Sequence, residues 1–184
     1  MSRRRDQVLA AAVEVLGADG TRALTYQAVD TEAGVPAGTT SNCFRTRDAL
    51  VRGVLAHLVE LDRADWDRFT RIPPADADAL ASALAGLARH AAGPGRARTR
   101  ARFALFLEAA ARPELTDLLA AGREAVLDWG EQWLAPLAPT APRELYRRLI
   151  GHLDGVVLHQ LTFPADPFDP APGFRALVRE STMD

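Results

Sequence analysis

The sequence predicts an all-helical protein. Apolar residues recur at intervals of three and four, and near the N-terminus Val8, Leu9, Ala12, Val13 and Leu16 fall on one helical face. No strand-like alternation of useful length occurs, and Gly and Pro residues separate the helical segments. The first amphipathic helix is therefore expected to end near residues 17 to 20, and the fold class is all-α.

Two short helices follow the first one. Thr25 is an N-cap residue for a helix over 26–33, and Gly34 then supplies the left-handed conformation that a sharp turn needs. Pro36 suits the first turn of the next helix, because its missing N–H costs nothing there, so a second helix is predicted over 37–44. Two short helices joined in this way predict a helix-turn-helix.

Longer helices make up the rest of the chain. Thr46 is an N-cap residue, and Asp48 lies in the first turn after it, where the helix dipole favours an anion. Pro and Gly residues mark breaks after the first, second and fifth of these longer helices. The predicted helices cover 47–69, residue 76 or 78 to 92, 96–111, 114–135, 142–163 and 174–182.

The second short helix carries small and polar side chains. Its predicted outward face consists of Gly38, Thr39, Thr40, Ser41 and Asn42. Small residues let a helix lie close to a nucleic-acid surface, and hydroxyl and amide groups can bond phosphate oxygens or base edges in the major groove. The pattern therefore predicts a recognition helix for double-stranded DNA.

At these residues the chain resembles the TetR family of transcriptional regulators. The matching residues are Gly34, Val35, Gly38, Thr39, Phe44, Arg47 and Leu50. The resemblance implies a three-helix helix-turn-helix DNA-binding domain over 1–46 and a helical effector-binding and dimerisation domain over 47–184. It also implies a homodimeric regulator, more often a repressor, that binds a near-palindromic operator and is released by a small-molecule effector.

Three residues depart from the family pattern. Ser41 and Cys43 stand where aromatic residues or His are usual, and Asp30 stands where a small residue such as Ala is common. Asp30 can either bond a hydroxyl of the recognition helix or lie at the surface, and the sequence leaves both alternatives open. The departures also leave an alternative function, namely a helical partner-binding protein that has lost specific DNA binding.

The charge distribution offers candidate contacts to the DNA backbone. The net charge is −2, and residues 1–50 hold six arginines and six acidic residues, so basicity alone does not indicate a nucleic-acid partner. Their placement is more informative, although a terminal arginine run can also serve solubility. The predicted backbone contacts are an N-terminal basic arm, the start of the first short helix and the segment after the recognition helix: Arg3, Arg4, Arg5, Thr25, Tyr26, Arg45 and Arg47.

The composition argues against an enzyme, a metal site, a cofactor or a membrane anchor. None of the four His residues has a Glu three positions before it, and no nucleophile elbow, phosphate loop or His-Glu-x-x-His motif occurs. The single cysteine cannot form an internal disulfide. No apolar run reaches the length of a membrane span, and no signal peptide is recognisable, so a cytoplasmic protein without catalytic residues is expected.

The segment 143–163 is apolar on more than one side. We expect it to pack on its own subunit and on a second copy, because two glycines four residues apart would allow close approach of another helix. The alternative is a helix buried wholly inside one subunit. The predicted dimer contacts are Leu149, Gly151, Leu153, Gly155 and Val156. Two-fold symmetry would place two recognition helices about 34–36 Å apart, on successive major grooves.

An effector pocket is expected in the larger domain. Aromatic side chains can shape an apolar cavity and offer a few polar contacts, although most of them are expected to be plain core residues. The candidate lining residues are Trp66, Phe69, Phe103, Phe106, Trp129, Trp133 and His159. The sequence does not indicate the effector's chemistry.

Overall fold

The computed structural model describes residues 3–69, 73–138 and 140–182, apart from the side chains of 66–69, 117–118, 121 and 181–182. Over these ranges the secondary structure is helical, which confirms the predicted fold class. In chain order the α-helices are α1 (Arg3–Asp19), α2 (Tyr26–Glu32), α3 (Thr39–Cys43), α4 (Arg47–Phe69), α5 (Ala77–Ala92), α6 (Arg96–Ala110), α7 (Pro113–Leu134), α8 (Pro142–Thr162) and α9 (Ala171–Thr182).

The helix boundaries follow the capping signals of the sequence. The side chains of Thr25, Thr46 and Asp76 accept hydrogen bonds from backbone N–H groups three residues later, at 3.1, 3.0 and 2.7 Å. These three N-caps confirm the predicted starts of α2, α4 and α5. The last helix begins at Ala171, three residues before the predicted start.

The chain divides into two compact units, and the first contains residues 1–62 and 96–122. Within it α1 packs on α2, α3 and α6, and the start of α4 shares the same core. The buried centre includes Val8, Leu9, Val29, Phe44 and Leu50, with further apolar residues of α4 and α6 around them. The two short helices are therefore held on a core that also contains α6.

The second unit contains residues 63–95 and 123–184. Here α5 packs on α8 and α9, and α8 packs on α9. The buried side chains from these helices include Leu80, Leu84, Tyr146, Leu149 and Phe174. Helices α4 and α7 each contribute residues to both units. The predicted division between residues 46 and 47, which separates a DNA-binding part from an effector-binding and dimerisation part, stays a prediction.

A membrane span was not expected from the sequence. Among the described residues, no helix is both long enough and apolar enough to cross a bilayer.

Candidate nucleic-acid interface

The turn between α2 and α3 has the geometry of a helix-turn-helix. Gly34 adopts a φ of 61°, the left-handed conformation that the sequence predicted for this position. The N–H of Val35 donates to the carbonyl of Asp30 at 3.0 Å, and this bond closes the end of α2. The chain therefore reverses sharply before the second short helix, as the sequence predicted.

The recognition helix α3 is shorter than expected. The prediction placed it over 37–44, but it covers only Thr39–Cys43. Gly38 has a φ of 87°, so a left-handed residue precedes the helix and Pro36 lies in the turn before it. The Pro36 carbonyl accepts hydrogen bonds from the N–H of Thr39 at 3.1 Å and from its hydroxyl at 2.6 Å. The predicted start at residue 37 was therefore wrong.

Asp30 anchors the start of α3. One carboxylate oxygen accepts the N–H of Thr40 at 2.7 Å and its hydroxyl at 2.5 Å, and the other accepts the N–H of Gly38 at 2.8 Å. Asp30 is buried, with only 5% of its surface exposed. Of the two alternatives that the sequence left open, the bond to a recognition-helix hydroxyl is confirmed.

These hydrogen bonds keep Asp30 ionised despite its burial. Burial raises the pKa of the Asp30 carboxyl, but the hydrogen bonds from Thr40 and Gly38 lower it by more, so the pKa lies below the ordinary value of 3.8. A carboxylate at the start of a helix is also favoured by the helix dipole. Asp30 is therefore a buried anion whose charge is compensated by α3.

Thr40 does not lie on the outward face, and the prediction that it does was wrong. It is fully buried because its hydroxyl and its N–H both point at Asp30. Asn42 is exposed, and Thr39 and Ser41 are half-buried. The Ser41 hydroxyl donates to the carbonyl of Gly38 at 2.9 Å, so only its lone pairs remain for a partner outside the helix.

The N-terminal arginines do not form an extended arm. Arg3, Arg4 and Arg5 form the first turn of α1, which corrects the prediction of an arm. Arg5 donates to the carbonyl of Cys43 at 3.1 Å, and its guanidinium lies 4.1 Å from the centre of the Phe44 ring. One of the three arginines is thus used to hold the end of α3 to α1.

The other predicted backbone contacts occupy different environments. Thr25 and Arg45 are exposed, whereas Tyr26 packs partly buried against the core. The Arg47 guanidinium donates to the carbonyl of Thr21 at 2.9 Å and lies 3.5 Å from Glu108, although half of its side chain is exposed. Asn42 is therefore the exposed polar side chain within the recognition helix, and Arg45 is the first exposed one after it.

A set of ion pairs that no sequence pattern predicted fixes the start of α4. The Arg112 guanidinium donates to Asp48 at 2.5 Å, to Glu114 at 2.9 Å and to Glu108 at 3.1 Å. These residues join the first turn of α4 to the adjoining ends of α6 and α7. Their separation of up to 64 residues leaves no local sequence signal, so only the tertiary fold reveals the set.

The candidate pocket residues fall into separate groups. In the first unit the rings of Phe103 and Phe106 meet edge to face at 6.4 Å. In the second unit Trp129 stacks on Trp133 at 5.5 Å and meets the Tyr146 ring at 6.1 Å. The His159 ring lies 5.2 Å from the Phe163 ring, and the predictions for Trp66 and Phe69 fall on side chains outside the described residues.

The predicted dimer contacts lie on two sides of α8. Leu149 and Leu153 are buried within the second unit, so their assignment to a surface for a second copy was wrong. Their positions repeat with the helical period on the side that meets α5 and α9. Gly151 and Gly155 are exposed, and Val156 is half-buried. The exposed side continues into Leu158, whose exposed fraction is 51%.

Comparison with protein families identifies the chain. A family model described as the tetracyclin repressor-like C-terminal domain matches residues 75–183, more than half of the 184 residues. The chain belongs to the TetR family of transcriptional regulators. The resemblance to the TetR family is therefore confirmed, and regulators of this family are non-enzymatic DNA-binding transcription factors.

Solved structures of similar fold support the assignment to the TetR family. The multidrug binding protein EbrR in complex with ethidium is 30% identical, with 97% of each chain covered and a TM-score of 0.68. A TetR-family member from Streptomyces coelicolor A3 is 26% identical over 97% of this chain and 98% of that one, with a TM-score of 0.71.

A more distant structure shares the fold. A protein from Rhodococcus sp., described as a TetR-family transcriptional regulator, is 19% identical and has a TM-score of 0.79, with 98% of this chain and 100% of that chain covered. No curated protein matches the sequence.

Proposed function

We propose that this TetR-family regulator is a repressor that binds a near-palindromic operator as a homodimer and is released by a small-molecule effector. The observation that carries the DNA-binding part is the anchored recognition helix α3. Its start is held by Asp30 and its end by Arg5, while Asn42 stays exposed. A rigidly held helix with an exposed amide is suited to reading base edges in a major groove.

The proposed DNA contacts come from the first turn of α1, from both short helices and from the segment after them. Asn42 is the candidate for a base contact, because a side-chain amide can form two hydrogen bonds to adenine. Thr39 and Ser41 can accept hydrogen bonds at the edge of the same surface, because each hydroxyl already donates its proton to a backbone carbonyl. Arg45 and the exposed part of Arg47 are candidates for phosphate contacts, and Thr25, Tyr26, Arg3 and Arg4 are further candidates. Thr40 is left out because it is buried.

The proposed dimer surface is the exposed side of α8. Gly151, Gly155 and Leu158 lie on this side at spacings of four and three residues, which is one face of a helix. Two glycines without side chains lower the surface where a partner helix could approach, and the exposed Leu158 gives it apolar area. A two-fold dimer would present two copies of α3 to two half-sites.

The proposed effector is a planar aromatic compound. EbrR, to which this chain is 30% identical, binds ethidium and proflavin. In this chain the half-buried Trp129, which stacks on the buried Trp133 and meets the buried Tyr146, offers an aromatic face on which a planar ring could stack. Release from DNA requires that the effector bind the DNA-incompetent dimer more tightly than the competent one.

We propose further that residues 1–46 read the operator, that residues 47–184 bind the effector and dimerise, and that the protein acts in the cytoplasm. The division between operator reading and effector binding follows from the positions of the residues named above. Effector binding and dimerisation can be tested without an operator.

The DNA-binding proposal is tested with the purified protein and duplexes that cover the DNA next to its own gene. The expected result is preference for one near-palindromic duplex, with an affinity that falls steeply as salt rises because bound arginines release counterions from phosphates. Equal affinity for every duplex at low salt would contradict the proposal and would favour the partner-binding alternative.

The effector proposal is tested on the protein without DNA, since ethidium and proflavin themselves bind duplexes. Dye fluorescence is titrated with wild-type protein, with Trp129→Leu and with Phe163→Leu as a control at an exposed aromatic residue of the same unit. We expect loss of dye binding for Trp129→Leu and no change for the control. Equal binding by all three proteins would exclude the Trp129 cluster as the site.

A further inference from the structure

We propose that Asp30 is a positioning residue that sets the sequence specificity of this protein by capping the recognition helix from the neighbouring helix. The inference rests on the proposed DNA-binding function and names a determinant of its specificity. Asp30 itself is buried and would not touch DNA.

The need for such a cap follows from the recognition helix itself. Helix α3 has only five residues, and short helices are marginal unless tertiary contacts stabilise them. Its N-cap residue is Gly38, which has no side chain to accept the first backbone N–H groups. Helix α3 therefore depends on an acceptor from elsewhere in the chain.

Asp30 supplies that acceptor from α2. Its two carboxylate oxygens take three hydrogen bonds at 2.5–2.8 Å from Gly38 and Thr40, and the carbonyl of the same residue accepts the N–H of Val35 at 3.0 Å. Val29, the residue before it, is fully buried in the core. One residue on a fixed helix thus holds both the turn and the start of α3.

The hydrogen bonds also set the rotation of α3 about its own axis. Because the hydroxyl of Thr40 must reach Asp30, Thr40 faces inward and the neighbouring residues Thr39, Ser41 and Asn42 lie at the sides and outside. Base contacts tolerate errors of only about 0.5 Å, whereas phosphate contacts carry little sequence information. A loosened α3 should therefore lose sequence selectivity before it loses general affinity for DNA.

The negative charge of Asp30 gives this inference a distinctive signature. The Asp30 carboxylate uses the N–H groups of Gly38 and Thr40, so these groups are not free to bind a DNA phosphate. Removing the carboxylate takes away a negative charge beneath the DNA-facing helix. Affinity for a random duplex should then stay constant or rise, while affinity for the operator falls.

The test compares four proteins: wild type, Asp30→Ala, Asp30→Asn and Glu32→Gln. The last is the matched control, because it removes the same charge from an exposed residue of α2. Affinities are measured for the duplex that the wild type prefers and for a random duplex of equal length. Circular dichroism melting reports the folded fraction, and amide hydrogen exchange of Gly38 and Thr40 is followed without DNA.

We expect Asp30→Ala to lower operator affinity by about tenfold or more, the effect of losing a base contact, without lowering affinity for the random duplex. Asp30→Asn keeps one acceptor oxygen, so its selectivity should lie between those of the wild type and Asp30→Ala. The exchange of the Gly38 and Thr40 amides should become faster in Asp30→Ala, and Glu32→Gln should leave both selectivity and exchange at wild-type values.

Three results would overturn the inference. Asp30→Ala could keep the wild-type ratio of the two affinities, it could lose both affinities in proportion to its unfolded fraction, or its Gly38 and Thr40 amides could exchange at wild-type rates. If the wild type itself preferred no duplex, the proposed function would fail and the inference would fail with it, which is distinguishable because that result precedes any mutation.

Discussion

Replacing an exposed glycine of α8 with alanine should stabilise an isolated subunit but weaken a dimer that packs through this side of the helix. Among the described residues, and leaving aside the backbone of α8 itself, no heavy atom lies within 4 Å of a Cβ built at Gly151 or Gly155. A glycine in a helix interior costs about 0.5–1 kcal/mol relative to alanine. The substitution Gly155→Ala should therefore stabilise an isolated subunit by that amount.

In the proposed dimer the same methyl group would lie where a partner helix approaches. Fitting extra atoms into a packed interface typically costs about 1–3 kcal/mol. A two-fold interface contains the substitution twice, so the total cost would be about 2–6 kcal/mol. The dissociation constant of the dimer should then rise by about 30-fold or more.

The assay separates the two effects. Sedimentation equilibrium over a range of protein concentrations gives the dissociation constant, and thermal melting at the lowest concentration gives the stability of the subunit. Gly86→Ala in α5 is the matched control, because among the described residues a Cβ at Gly86 also meets no heavy atom within 4 Å. The control should gain stability without changing the dissociation constant. A wild-type dissociation constant for Gly155→Ala would refute the proposed packing of α8.

Four other substitutions test the interior, the recognition helix and the segment after it. Gly17→Ala places a Cβ 2.2 Å from the backbone carbonyl oxygen of Ala97, so it should lower the free energy of unfolding in urea by about 1–3 kcal/mol. A loss below about 0.5 kcal/mol would show that α1 and α6 can move apart at little cost. Asn42→Ala should lower operator affinity about tenfold and leave affinity for a random duplex unchanged. Arg45→Ala should lower both affinities and reduce the slope of log affinity against log salt concentration by about one. Equal effects of the two substitutions would contradict the contacts assigned to Asn42 and Arg45. Burial lowers the pKa of His152 below 6.5, so neutral His152 contributes to stability above pH 6.5, and this stability is lost as pH falls through the lowered pKa. In unfolding measured between about pH 7.5 and 5, His152→Asn should reduce this loss of stability. An unchanged pH profile would exclude His152 as the source of the loss.

Local signals predicted most of the fold. The three N-caps at Thr25, Thr46 and Asp76 and the left-handed Gly34 act over three or four residues, so they are readable from the sequence, and each is found in the structure. The helical period likewise predicted the long helices. The predicted range of α4, 47–69, agrees with the observed helix.

The details of the recognition helix were not predictable in the same way. The sequence could not show that Gly38 would adopt a left-handed conformation, which delays the start of α3 to Thr39. Nor could a periodic pattern show that Thr40 turns inward, since its partner Asp30 lies ten residues away on another helix. A single hydrogen-bonded pair between helices decided which side of α3 faces outward.

The two sides of α8 show a second limit of sequence reasoning. Leu149 and Leu153 are apolar because they pack inside their own unit, while Gly151 and Gly155 lie on the exposed side. The hydrophobic pattern marks both sides as suited to close packing but does not distinguish burial by the same chain from burial by a second copy. Only the tertiary structure assigns the leucines to the core.

Binding of the wild-type protein to its preferred duplex should be compared with binding to a duplex in which one half-site is scrambled. This comparison tests whether two subunits bind a two-fold operator. Anisotropy titrations at several salt concentrations would give both affinities and the number of subunits bound. A dimeric regulator should place two subunits on the intact site, lose much of its affinity when one half-site is scrambled, and bind less tightly as the salt concentration rises. Equal, weak binding to both duplexes at low salt would contradict this expectation.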